Sequence, residues 1–292
     1  MPKAARVTDL HFCPAFTPLP HLGGPIKSPA SQNVETNSLG AARAADELNC
    51  IVPSLTNFIV TGSATVEING KLASRQWDKT MHPGPGSIIT GSGNVDIGGG
   101  TAGGTLGEPD TAAAQCRALA NGRTSGTTSQ SYNNCGVESS RQLINRSGNP
   151  IDEDTLLDEA LASGDASTEP TRFASGGTGP DTRENILDSH GVPSHQVSQG
   201  MGNITQNVAE GRGVITSHDA GILWNDPQYN GGGHAIVPTG MEYDANGRLQ
   251  NVIVNDTGQG QCGQKIPADQ FENSLRPGRN VNVTDNPIWR AP

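Results

Sequence analysis

Among the side chains able to act as nucleophiles, Cys135 has the setting that thiol chemistry needs. It follows the polar run Ser131-Tyr132-Asn133-Asn134 and opens Gly136-Val137-Glu138-Ser139-Ser140-Arg141-Gln142-Leu143-Ile144, a predicted helix whose N-terminal dipole favours thiolate over thiol. The partner must be an imidazole. Of the four histidines in this half, His234 stands behind Gly231-Gly232-Gly233 at the head of the apolar strand His234-Ala235-Ile236-Val237-Pro238-Thr239, where glycines permit close approach. His190, His195 and His218 read as solvated turn residues. An acceptor must then orient the ring: Asp256, or Asn255 beside it, ends the strand expected to pair with that of His234. Gln130, five residues ahead of Cys135, can offer its side-chain amide to an oxyanion. A thiolate, an imidazole able to pass a proton, an acceptor that orients it and an oxyanion donor are the groups that nucleophilic catalysis by a thiol requires, and none of them calls for a metal.

A second group of cysteines and histidines lies in the first hundred residues, in a repeat. Ala5-Arg6-x-x-Asp9-x-x-x-Cys13 recurs as Ala42-Arg43-x-x-Asp46-x-x-x-Cys50 and as Ser74-Arg75-x-x-Asp78-x-x-x-His82. Behind it runs Ser31-x-x-Val34-Glu35, Ser63-x-x-Val66-Glu67 and Ser92-x-x-Val95-Asp96, closed by turn pairs such as Asn69-Gly70. Each unit is too short to bury a face alone, so three must share one centre, and threefold rotation brings Cys13, Cys50 and His82 to the axis. Thiolate and imidazole converging in a domain with little core point to structural zinc. The fourth ligand is His21 or His11, and the glycines of Pro20-His21-Leu22-Gly23-Gly24 favour His21.

The elements that must position these groups follow from the patterns between them. The expected division is a repeat domain over 1–100, a linker over 101–111 and a second domain over 112–292; the run GGGTAGGTLG over 98–107 reads as a flexible tether. Helices are predicted over 112–120, 136–145, 152–161 (capped by Asp152) and 182–189, and 165–180 as a surface loop. Strands are predicted over 213–216, 234–239 and 249–254, with Asp244-Ala245-Asn246-Gly247 turning between the last two. Helices followed by antiparallel strands make the second domain α+β, after an all-β first domain.

Composition narrows the function. Glycine (38) and proline (20) make 58 of 292 residues and aromatics only 4%, which excludes a helical bundle. A net charge of −10 argues against nucleic acid as partner. No apolar run is long enough for a membrane anchor, and residues 1–12 carry no signal core. Five irregularly spaced cysteines fit a chain made in a reducing cytoplasm better than a disulfide scaffold.

Through Ala4-Ala5-Arg6-Val7-Thr8-Asp9, Pro20-His21-Leu22-Gly23-Gly24-Pro25-Ile26 and Ile59-Val60-Thr61-Gly62-Ser63-Ala64-Thr65-Val66, the region 1–100 resembles the PAAR-repeat family. The resemblance implies a conical, threefold β tip with zinc near its vertex, seated on the trimeric VgrG spike of a type VI secretion machine, and so secretion into a target bacterial cell without a signal peptide. Through Asn134-Cys135-Gly136, the segment 186–192, Gly233-His234-Ala235-Ile236-Val237, Val254-Asn255-Asp256 and Asp269-Gln270-Phe271, residues 115–276 resemble papain-like peptidases, particularly double-glycine leader peptidases. That implies nucleophile Cys135, general base Cys135's partner His234, orienting Asp256 and oxyanion donor Gln130, the last usually six residues before the cysteine. Together they imply an antibacterial effector that cleaves a protein of the target cell and has a cognate immunity protein. The competing readings are a peptidoglycan amidase or peptidase, a chain that cuts its own linker at Gly103-Gly104, and a structural tip with an inactive passenger.

Overall fold

The structure, a computed structural model, describes residues 1–16, 19–52, 54–82, 84–109 and 130–289. The helix expected over 112–120 lies outside the described residues. Contacts divide the chain into a first unit, Met1–Leu106 with Met241–Gln250, and a second, Gly107–Gly240 with Asn251–Pro292.

The first unit is built almost wholly of short strands and turns, and its repeat is visible in the hydrogen bonds. Each Arg-x-x-Asp frame is a type II turn: Asp9, Asp46 and Asp78 donate their N–H to the carbonyls of Arg6, Arg43 and Arg75 at 3.0, 3.1 and 3.1 Å. Such turns want glycine third, yet Thr8, Ala45 and Trp77 hold φ of 74, 69 and 77° there. The aspartate offsets the strain, since its Oδ2 accepts both the arginine N–H (2.8, 2.7 and 2.7 Å) and the arginine Nε–H (3.0, 3.2 and 3.1 Å). At the centre, Ala5 N–H donates to Ser74 O, Ser74 N–H to Ala42 O and Ala42 N–H to Ala5 O, a closed ring at 2.9–3.0 Å. Ile26, Leu48, Ile59 and Ile88 pack around Ala5 and Ala42 as a small core. The serines of the second frame, Ser31, Ser63 and Ser92, accept from the N–H of Val34, Val66 and Val95 at 3.1, 3.2 and 3.0 Å.

The third copy differs from the others in one way that predicts a result. Arg75 is 1% exposed and also donates to the carbonyls of Gly62, Gly98 and Gly99 and to Thr101 Oγ1, whereas the Arg6 and Arg43 side chains keep 18% and 15% exposure. Removing one partner of a buried pair strands the other and its acceptors. Arg75→Ala should therefore destabilise the first unit by about 3–5 kcal/mol, and Arg6→Ala by much less, measured by denaturant unfolding.

Arg75 also touches the segment expected to be a tether. That stretch is folded: Thr101–Gly103 pairs antiparallel with Thr61–Ser63, and Thr105–Gly107 is a strand as well. Glycine there serves close backbone approach, which composition alone does not distinguish from flexibility. Nor is the second unit one continuous stretch, because the hairpin tip 241–250 counts with the first, where Tyr243 donates to Gly104 O at 3.0 Å.

The second unit is α+β. Its elements in order are α1 (Cys135–Arg146), α2 (Glu153–Ser163), α3 (Pro180–Ser189), β1 (Ser194–Val197), α4 (Met201–Ala209), β2 (Arg212–Asp219), α5 (Ala220–Trp224), β3 (Gly233–Tyr243), β4 (Leu249–Asp256), β5 (Gln261–Pro267), α6 (Ala268–Ser274) and β6 (Val281–Pro287). The sheet runs β1-β6-β2-β3-β4-β5. Asp152 caps α2, accepting from Thr155 N–H at 2.9 Å, and Pro180 opens α3, where a missing N–H costs nothing. Val137, Leu143 and Ile144 of α1 join Leu156, Leu157, Ile186, Leu187, Ile215 and Val237 in one core. Inner strand β6 escaped sequence reading because its buried positions include Asn282 and Thr284. Asn282 is held by the Pro180 carbonyl at 2.8 Å, and Thr284 accepts from Gly213 N–H at 2.9 Å. No helix among the described residues is long and apolar enough to cross a membrane.

Candidate functional site

In the first unit Cys13, His21, Cys50 and His82 are all buried, with ligand atoms within 4.8 Å of one another. Cys13 Sγ lies 3.5 Å from Nδ1 of both His21 and His82, Cys50 Sγ lies 3.3 Å from His82 Nδ1, and the two Nδ1 atoms are 3.2 Å apart. A tetrahedron with metal bonds of ~2.0–2.3 Å has edges of ~3.3–3.8 Å, so these four separations are close to those of the S₂N₂ set that zinc takes, and the widest separation in the set, up to 4.8 Å, would have to shorten around an ion. The ring tautomer matches too. His82 donates Nε2–H to Thr56 O at 3.1 Å, which turns the Nδ1 lone pair inward. Burial, with His21 and His11 nearby, lowers His82 to about 4, so the ring is neutral and able to ligate. Burial with Cys13 alongside lifts the Cys50 thiol to about 12, a cost that a bound cation would remove. His11, the other fourth-ligand candidate, is engaged outside the four: it donates Nδ1–H to Gly24 O at 2.9 Å and turns Nε2 toward Cys50 Sγ at 3.5 Å and Asn57 at 3.4 Å.

In the second unit Cys135 is the first residue of α1, where helical N–H groups lack intrahelical acceptors. Two things fix that end. Ser131 N–H and Asn134 Nδ2 both donate to Glu153 Oε1 (2.7 and 3.2 Å), and Ser139 Oγ donates to Ala235 O (3.2 Å), tying α1 to the strand of His234. The His234 ring lies on Trp224 at 4.8 Å, and Gly258 leaves it room: a Cβ there would stand 2.7 Å from His234 Cε1 and 2.9 Å from Trp224.

His234 Nε2–H donates to Asp256 Oδ1 at 2.7 Å, leaving Nδ1 for the hydrogen bond with the Cys135 thiol. Asp256 is itself immobilised: Oδ2 accepts from Trp224 Nε1 at 2.7 Å and Oδ1 from the N–H groups of Gly258 and Gln259 at 2.8 and 3.2 Å. Asn255, the alternative, turns its Oδ1 to Gly263 N–H at 3.2 Å. Burial alone would raise the Cys135 thiol, but the His234 hydrogen bond and charge, the Ala235 N–H and Arg183 outweigh it and hold the thiol below its ordinary value. For His234, burial is likewise outweighed, by Asp256 and then Cys135, and the ring is raised to about 10. Asp256 stays below the usual carboxylate range, its burial outweighed by His234 and Trp224. Each group thus favours the charged form of the other: His234 holds the thiol down, and Cys135, after Asp256, holds the ring up.

Three other expectations meet different surroundings. Gln130 donates its amide to Tyr132 O at 2.9 Å and accepts from Thr257 Oγ1 at 3.1 Å, and it does not line the cavity at Cys135; the bend over 131–133 lets the side chain fold back on its own backbone. His218 is no solvated turn residue. It is fully buried on β2 as cross-strand neighbour of His234, between Ser274 Oγ (2.7 Å) and Thr216 Oγ1 (2.8 Å), and burial lowers it to about 3. Cys262 is disulfide-bonded, while Cys13, Cys50 and Cys135 are free thiols, which corrects the reading of a chain without disulfides. His190 and His195 pair with Glu159 and Asp285 at 2.9 and 2.6 Å, away from the cavity.

That cavity, of about 200 Å³, is lined by Cys135 and His234, by Gly177 and Thr178 of the loop before α3, and by Arg183, Arg276 and Arg279. No sequence signal announced the arginines, one of which lies on α3 and two in the loop after α6.

Residues 17–85 match the PAAR motif, and residues 121–281 match the Peptidase_C39 like family. Among solved structures, the chain is similar to a double glycine motif protease from an AMS/PCAT transporter, in complex with its leader peptide. Identity is 15% and the TM-score 0.37, covering 53% of this chain and 88% of that one. A C39-like peptidase from Bacillus anthracis gives 15% identity and a TM-score of 0.39, covering 52% and 88%. No curated protein matches.

Proposed function

The chain belongs to the Peptidase_C39 like family, and from that premise we propose that it is a type VI effector whose second unit cleaves a target-cell protein with Cys135, His234 and Asp256. The Cys135–His234–Asp256 relay carries this reading, with its 2.7 Å hydrogen bond from ring to carboxylate and its depressed thiol. The Cys135 thiolate attacks the amide carbonyl, and the oxyanion forms beside the free N–H groups opening α1. His234 gives its Nδ1 proton to the amine as the C–N bond breaks, leaving a thioester. Deprotonated by the same nitrogen, water then attacks the thioester, and the C–S bond breaks to release the acid and return the thiolate beside the imidazolium. Asp256 holds the ring throughout.

The first unit supplies delivery in this reading. Its match to the PAAR motif supports seating on a VgrG-type spike trimer; the reading also requires an immunity protein that guards the producer cell. Zinc in that unit would be held by Cys13, His21, Cys50 and His82, where it serves as a cross-link between repeats and takes no part in the hydrolysis.

Expression of the full chain in the cytosol or the periplasm of a susceptible bacterium tests the reading. Growth should stop with wild type and continue with Cys135→Ala or His234→Ala at matched levels. Arrest that survives both substitutions would remove hydrolysis from the toxic activity, and release of muropeptides from purified sacculi would move the substrate to the cell wall.

The ion pair also fixes a pH profile. Rate is lost as pH falls through the lowered thiol value, where the thiolate is protonated, and as pH rises through the raised His234 value near 10, where the imidazolium is lost. Asp256 is the larger support of His234, so Asp256→Asn should move the alkaline limb to lower pH, read from the pH dependence of Cys135 alkylation.

A further inference from the structure

The cavity beside Cys135 carries three guanidinium groups and no carboxylate among its described lining residues. That is unusual in a chain with 29 acidic and 19 basic residues. Arg183, on α3, is 1% exposed; it gives one hydrogen bond, Nη2–H to Ser217 Oγ at 2.9 Å, and its Nε has no partner. Arg276 and Arg279 come from the loop after α6, one half-buried and the other exposed. Among the described residues none of the three is in an ion pair.

Their placement is built. Ser217 accepts the Arg183 side chain through its hydroxyl and the Arg276 N–H through its carbonyl at 2.9 Å. The amide of Gln199, oriented to donate, reaches the carbonyls of both Arg276 and Arg279 at 2.6 and 2.7 Å. Gly233, next to His234, makes room for Arg276, whose Nη1 would stand 2.5 Å from any Cβ there. Burial first, and Arg279 in addition, lowers Arg183 to about 10 against the opposing pull of Cys135. Cys135 offsets part of the charge at Arg183, and Asp219 part of that at Arg276; three guanidinium groups around one cavity still cost stability unless a further anion joins them.

We propose that this cavity is a carboxylate receptor, so that the enzyme selects substrates with an anionic group next to the amide it cuts. The inference rests on the hydrolase reading of Cys135 and names its substrate class. Planar guanidinium forks suit carboxylates in two-point contact, and the volume fits one short side chain or a chain end. The carboxylate is an Asp or Glu side chain, or the α-carboxylate of a C-terminal residue.

Two small alkylating agents test the receptor without knowledge of the substrate. In the full-length protein, Cys135 is modified by iodoacetate or by iodoacetamide and followed by peptide mass mapping. In Arg276→Gln/Arg279→Gln the ratio of iodoacetate to iodoacetamide rate should fall about tenfold, with the iodoacetamide rate changing less than about twofold. An unchanged ratio, or equal slowing with both reagents, overturns the proposal, because the arginines would then act only on the thiol.

Protection from iodoacetamide separates the two carboxylate sources. Ac-Gly-Glu-Gly-NH₂ should protect if a side chain is bound and Ac-Gly-Gln-Gly-OH if a chain end is bound. Neither exceeding Ac-Gly-Gln-Gly-NH₂ would also overturn the receptor. Should the ratio and the protection hold while wild type cuts no more of a peptide pool than Cys135→Ala, the receptor stands and the hydrolase reading falls.

Discussion

Cys135→Ala in the full chain is expected to reduce amide hydrolysis at least ~10⁴-fold in kcat/KM, with His234→Ala close to it and the double substitution no worse. The near-equality follows because the two act as one unit: His234 lowers the Cys135 thiol and supplies the proton for the leaving amine, so removing either disables the same step. New N-termini released from a bacterial peptide pool, counted by mass spectrometry, give the readout. Asp256→Asn tests the third member. An asparagine Oδ1 can still accept from His234, but the charge is gone, and the amide nitrogen would face Trp224 Nε1, now 2.7 Å from Oδ2. A fall of ~10²–10⁴ in kcat is expected. Cleavage that continues in Cys135→Ala would end the assignment of the nucleophile.

The second large effect lies at the four-residue cluster. The purified chain should carry about one zinc, and Cys13→Ser/Cys50→Ser should lose it and unfold the first unit near physiological temperature. Structural zinc contributes ~10–16 kcal/mol in small zinc domains, and the small aliphatic core of this unit has little to replace it. Zinc content by atomic absorption and two-probe thermal unfolding check the outcome, with Cys135 reactivity in the second unit retained. His21 and His11 separate cleanly. His21→Ala should abolish stoichiometric zinc, while His11→Ala should keep it at ~10–100-fold weaker affinity, since His11 touches the cluster only through Cys50 and is otherwise held by Gly24 and Asn57. Stoichiometric zinc in His21→Ala would remove it from the ligand set.

What could be read in the sequence divides by physical origin. The threefold frame was legible because each repeat needs the same Asp to hold an unfavourable turn, so arginine, aspartate and metal-type residue recur at fixed offsets. Cys135 and His234 stood out through local settings, a helix start and a glycine-flanked strand, that any chain must encode nearby. The surroundings of Gln130 and His218 depend on segments far along the chain: Gln130 folds back between Tyr132 and Thr257, and His218 is enclosed by Ser274 and Phe271. Arg183 lies more than ninety residues before Arg276 and Arg279, so no window contains the arrangement of all three. Glycines misled over 98–107, because the absence of a side chain serves a tight strand as well as a loose one.

The ring that joins Ala5, Ala42 and Ser74 sets a timetable for a chain emerging from the ribosome. Residues 5 and 42 are available early, but the ring needs Ser74, and the N–H of Ala4 waits further for the carbonyl of Val95. Between residues 42 and 95 translation takes roughly 3–10 s at ~5–20 residues per second. For part of that interval Cys13 and Cys50 are outside the exit tunnel while His82 is not, so their thiols meet the reducing agents and metal buffers of the producing cell before the cluster can close.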